Sequence, residues 1–173
     1  MSSISKEEII QATKNWLKNV VIGLNFCPFA AKPFLENKVR IAIIDHDLHI
    51  TNLADEFELL ATDKSIETTL LVYPNHFADF MDYLDWLEEA QNKLSDWDFE
   101  GEFQLASFHP NYLFDGGLEN DPANYTNRSP YPMLHIIREA SLEQAIKHHP
   151  DPDGIPMRNI EKARSLGLEK MRM

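Results

Sequence analysis

Two short runs rich in β-branched residues constrain this chain more than any other feature: Val39-Arg40-Ile41-Ala42-Ile43-Ile44, and the stretch from Thr68 to Tyr73. Residues of this kind suit a pleated surface that is buried on at least one face. Between the runs, Leu53, Phe57, Leu60 and Ala61 recur at helical spacing. This predicts a helix over 51–63, capped by Thr51 or Asn52. A strand, a helix and a further strand favour parallel pairing through a right-handed crossover. Pro74 stops the second strand, and a long helix is predicted over 76–95, capped by Asn75. Its apolar face is Phe77, Phe80, Met81, Leu84, Leu87, Ala90 and Leu94, and the opposite face carries Asp79, Asp82, Asp85, Glu88 and Glu89.

The flanks complete the order of elements. Ser5 and Glu8 have the spacing of a capping box, with Ile4 and Ile9 at the staple positions, so a helix is predicted over 6–23. Gly23 and Asn25 end it, and Pro28 suits the first turn of a short helix. Strands are predicted at 102–108 and 133–138. Ser141 and Gln144 repeat the capping spacing, placing a helix at 141–148, and Pro156 opens a last helix at 156–168. The expectation is one globular domain over 1–173, of α/β or α+β class. It would hold a single three- to four-stranded, partly parallel sheet covered by helices, its last two strands antiparallel neighbours.

Composition narrows the function classes. The chain has 16 Lys+Arg against 28 Asp+Glu, a formal net charge of −12 over 173 residues. That balance works against a nucleic-acid binder, which needs a basic stripe, and against an anionic membrane surface. No apolar run approaches the roughly 18 residues of a membrane span. Cys27 stands alone, so neither an intramolecular disulfide nor a cysteine zinc cluster can form, and a cytoplasmic protein is expected. No phosphate loop, dinucleotide fingerprint or serine nucleophile elbow occurs, and no cofactor is expected.

Between the third and fourth strands, 109–132 shows no clear secondary structure. Loops beyond about 12–15 residues are uncommon in compact domains and often functional. Tyr112, Leu113, Phe114, Tyr125 and Tyr131 can anchor this one, and its polar groups include His109, Asn111, Asp115, Asp121, Asn127, Arg128 and Ser129. Cys27, before Pro28, would sit at a helix cap whose positive end favours a thiolate, against the alternative of a small buried hydrophobe. His109 ends a strand and suits a general base, or a pin for the loop. Arg128 offers a planar fork to a carboxylate or phosphate, with Asn127 and Ser129 to orient it and Arg138 as a further anion contact. Otherwise Arg128 stitches the loop to Asp115 or Asp121. Asn25 joins the ligand-contact set beside Cys27. His135 shares a strand face with Met133 and Ile137, as a core histidine or a ligand contact. His46-Asp47-Leu48-His49 has metal spacing but lacks a third ligand.

Three stretches carry a family resemblance: Leu24-Asn-Phe-Cys-Pro-Phe-Ala30, Ser107-Phe-His-Pro110, and Asn127-Arg-Ser-Pro-Tyr-Pro-Met-Leu-His-Ile-Ile-Arg-Glu139. Over nearly its whole length the chain resembles an uncharacterised bacterial family known as domain of unknown function 1415. The resemblance implies a bacterial, cytoplasmic, single-domain protein and carries over no site residue. From the residues themselves, the expectation is a protein that binds an anionic small molecule at Cys27, His109 and the 127–129 turn. In its enzymatic form, a Cys/His-dependent hydrolase or transferase, Cys27 is nucleophile and His109 is base. The alternatives are a non-enzymatic interaction module using the acidic helix face or the exposed loop, and a metal-binding protein using His109 and His135.

Overall fold

The computed structural model describes residues 4–172. β1 (Val39–Ile43) and β2 (Thr68–Val72) pair in parallel, with Ile41 beside Leu70. β4 (Met133–Arg138) runs antiparallel between β2 and β3 (Phe103–Phe108), so the strand order is β1-β2-β4-β3. His135, in the middle of β4, faces Leu70 on one side and Ala106 on the other. The mixed α/β class, the four strands and the antiparallel last pair agree with the sequence reading.

Alternation along the strands sends side chains to two different helical layers. On one face, α3 (Ile50–Thr62) and α4 (Phe80–Asp96) cover Leu71, Tyr73, Phe103, Leu134 and Ile136. Phe57 of α3 stacks on Phe103 with ring centroids 5.9 Å apart. Each such fully buried Leu or Phe contributes roughly 1.5–3 kcal/mol. On the other face, α1 (Lys6–Trp16) brings Ile9 and Trp16 onto Leu70, Val72 and Met133. The Ser5–Glu8 capping box that opens α1 is formed, Ser5 Oγ accepting from Glu8 N–H at 3.2 Å. α2 (Ala31–Leu35), α5 (Glu139–Lys147) and α6 (Ile155–Met171) complete the described helices. Phe26, in the connection before α2, is buried against Ala163 and Met171 of α6.

Several boundaries differ from expectation, each for a local reason. The first helix widens into a π-helical turn over Leu17–Ile22, where Gly23 N–H reaches back five residues to Lys18 C=O at 3.0 Å. α3 begins at Ile50, and Asn52, predicted as its cap, instead accepts from His49 N–H at 2.9 Å. α4 is capped by Asp79, not Asn75: Asp79 Oδ1 accepts from Met81 N–H at 2.7 Å. Asn75 donates to Asp45 C=O, and Phe77 adopts a left-handed backbone at φ 58°, which a helix cannot include. The buried face of α4 is therefore Tyr83, Trp86, Ala90 and Leu94, while Met81 is 64% exposed. Tyr83 and Trp86 can be buried because Tyr83 Oη donates to Met133 C=O and Trp86 Nε1 to Tyr73 Oη. α5 starts at Glu139, directly from β4, so the Ser141–Gln144 spacing falls inside the helix. The 109–132 stretch contains a 3₁₀ helix, Pro122–Thr126, capped by Asp121 and held under α6.

Candidate functional site

The face of the sheet beneath α1 is incompletely covered. Between it and α1, α2 and α5 lies a cavity of about 830 Å³, within the range of small-molecule sites. Its floor is set by strand alternation: Thr68 and Leu70 from β2, His135 and Ile137 from β4, and Ala106 and Phe108 from β3. Trp16, Leu17 and Val21 enter from the end of α1 and its π-helical turn, which rotates Leu17 and Val21 onto the sheet. Cys27, Phe29 and Phe34 close the side under α2, and His148 and His149 follow α5. Lys32 and Lys38 stand exposed at the mouth, where Lys38 Nζ lies 2.7 Å from Glu36.

Cys27 is half-buried in this wall. Burial raises its thiol pKa above the ordinary range, and the N–H groups of Phe29 and Ala30 offset that in part. The thiol therefore stays protonated at neutral pH, unlike the thiolate expected from a helix cap.

His135 has a defined hydrogen-bond role. Its Nε2 lies 2.6 Å from Thr68 Oγ1, and that hydroxyl lies 2.6 Å from Ile136 C=O. A hydroxyl has one proton, and the carbonyl can only accept, so Thr68 donates to Ile136 and receives the Nε2–H of His135. The imidazole is neutral, its pKa pushed down to about 4 by burial.

The other sequence-predicted residues do not converge on Cys27. His109 is 1% exposed and lies outside the cavity lining. Its Nε2 donates to Phe77 C=O at 2.8 Å, its Nδ1 accepts from Asn111 N–H at 3.0 Å, and its ring sits between Phe80 and Tyr83. Both nitrogens are occupied, so His109 pins the loop and has none left for a base or a metal. Arg128 stitches the same loop: Nε donates to Tyr112 C=O at 3.1 Å, Nη2 reaches Glu119 C=O, and the guanidinium lies over the Tyr125 ring. Asp121, one of its expected partners, instead holds Arg164, whose guanidinium brings the Asp121 carboxyl down to about 2.

Asn127 Nδ2 donates to Ser107 C=O, and Ser129 Oγ donates to Tyr131 C=O. Arg138 borders the cavity, but its fork caps the end of α3 through the carbonyls of Leu60, Asp63 and Ile66. Asn25 is exposed with φ 55°, the left-handed stop after the first helix. Among the described residues, no three of His, Cys, Asp and Glu gather to hold a metal ion, and no helix is long and apolar enough to cross a membrane.

Sequence reasoning missed Thr68, Lys32, Lys38, His148 and His149. Thr68 was findable only from the pairing of β2 with β4, which brings it beside His135 across the sheet.

The family described as protein of unknown function (DUF1415) matches residues 8–173. The chain belongs to the DUF1415 family. No curated protein and no solved structure matches it. The DUF1415 match covers both the cavity-lining segment around Cys27 and the 109–132 loop, which lie on different parts of the fold.

Proposed function

We propose that this chain binds a small amphipathic anion, a carboxylate or phosphate on an apolar body, in the cavity between the sheet and α1, α2 and α5. The observation that carries the reading is the apolar enclosure: Trp16, Leu17 and Val21 from the helix side and Leu70, Ala106, Phe108 and Ile137 from the sheet surround the His135–Thr68 pair, and the charged side chains lie on other parts of the lining. An apolar enclosure with few convergent polar groups is the usual composition of a ligand site. Lys32 at the mouth, beside the Lys38–Glu36 ion pair, supplies the cationic contact that the sequence assigned to Arg128 and Arg138, whose Nε and Nη2 groups donate to backbone carbonyls. Glu36 and Glu67 line the same cavity, so the attraction is a short-range contact to the Lys32 ammonium and not a positive field against the global charge of −12.

Anilinonaphthalene sulfonate, an amphipathic anion, provides the test by fluorescence titration. The expected result is saturable binding at one site, lost in Ala106→Trp, which fills the floor. No saturable binding, or binding indifferent to that substitution, refutes the proposal.

A further inference from the structure

We infer that the ligand of this cavity carries a hydrogen-bond donor, a hydroxyl or N–H group, which meets His135 Nδ1 at the sheet floor and is distinct from the anionic group held at the mouth. The inference rests on the small-molecule reading of the cavity and narrows it to hydroxyl- or amino-bearing amphipathic acids.

Thr68 Oγ1 spends its one hydrogen on Ile136 C=O and takes the Nε2–H of His135. Nδ1 is then the bare lone pair of a neutral ring, an acceptor. It has no hydrogen-bond partner among the described residues, whereas the Nδ1 of His109 receives Asn111 N–H. Among the described residues the one buried side-chain polar atom lacking a partner is Thr69 Oγ1, so Nδ1 of His135 is not sealed in the core. β4 is an interior strand, flanked by β2 and β3. A side chain from its middle, on the face under α1, reaches open space only through the cavity.

A carboxylate or phosphate oxygen would oppose this lone pair, and an apolar group would leave it unsatisfied. The neighbouring ring of Phe108, 6.3 Å away centroid to centroid, offers no donor. A metal ion would need further ligands, and among the described residues no three of His, Cys, Asp and Glu gather to hold one. A site with one built-in acceptor discriminates against analogues that lack the matching donor.

The test uses two probes: a naphthalenesulfonate with a hydroxyl on the ring position far from the sulfonate, and its unsubstituted parent. Each is titrated calorimetrically at neutral pH into wild type and His135→Phe. The expected result is about tenfold tighter binding of the hydroxylated probe to wild type, as one unshared hydrogen bond provides, and equal binding of both to His135→Phe. Equal affinities in wild type, or a preference that survives in the variant, overturn the inference while leaving the cavity reading standing. Failure of both probes to bind overturns the cavity reading and the inference together. Nitrogen chemical shifts of the wild-type imidazole give a measurement that does not depend on the variant folding. The expectation is a protonated Nε2 and an unprotonated Nδ1 that moves on addition of the hydroxylated probe. A protonated Nδ1 overturns the inference.

Discussion

Replacing His109 with phenylalanine should cost stability and leave ligand binding at the cavity intact. The phenyl ring keeps the tilted packing between Phe80 and Tyr83, whose centroids lie 5.1 and 5.2 Å from the imidazole. Two hydrogen bonds are lost. One ties the carbonyl of Phe77, a residue held at φ 58°, to a side chain that is 1% exposed. The other receives Asn111 N–H, whose residue is exposed, so water can replace it. An orphaned buried group costs about 1–3 kcal/mol, less where water reaches it. Together the two losses come to about 2–3 kcal/mol. For a chain of this size that lowers Tm by about 5–10 °C. Urea denaturation is the assay, read as a lower midpoint at unchanged slope, alongside titration with anilinonaphthalene sulfonate. A loss below about 0.5 kcal/mol would refute the pinning role, and abolished binding at unchanged stability would return His109 to the functional site.

Three further outcomes follow. Cys27 should react with iodoacetamide at neutral pH at least about fivefold more slowly than a free thiol, because burial holds it protonated; a faster reaction contradicts the environment described. His135, held near 4 when folded against about 6.5 unfolded, adds no pH dependence above about pH 7, where both states are neutral. As pH falls from about 6.5 to 4 the unfolded chain takes the extra proton, so stability drops by up to about 3 kcal/mol. His135→Phe should remove that part of the slope in acid denaturation curves, and an unchanged slope refutes it. Ser5→Ala, which deletes the capping box of α1, should cost about 1 kcal/mol in urea unfolding, and a neutral result means that this cap contributes nothing to the folded state.

Local signals reported the elements well, because they act locally. The β-branched runs became β1 and β2, and Ser5 caps α1 as its spacing requires. Boundaries failed where a distant partner intervened. Asn75 reads as a cap, but its amide bridges to Asp45 on the neighbouring loop, and the helix waits for Asp79. The site was legible in part. Alternation put His135 and Ile137 on one face, and both line the cavity. Cys27 shares that cavity through the fold of the 23–38 segment, which no local pattern announces. His109, Asn127, Arg128 and Ser129 look like a binding loop because they are polar and clustered. The same traits serve a long loop that must satisfy its own backbone, and here their hydrogen bonds run to Phe77, Ser107, Tyr112 and Tyr131. Nothing in a single sequence separates polar groups that face a ligand from polar groups that hold a loop.

The most direct test of the account is methyl and imidazole NMR during titration with anilinonaphthalene sulfonate. The account predicts saturable shifts at Leu17, Val21, Leu70 and Ile137 and at the ring of His135, with the signals of Leu113 and Leu118 in the 109–132 loop unmoved. Shifts confined to that loop, or none at the cavity residues, would contradict it.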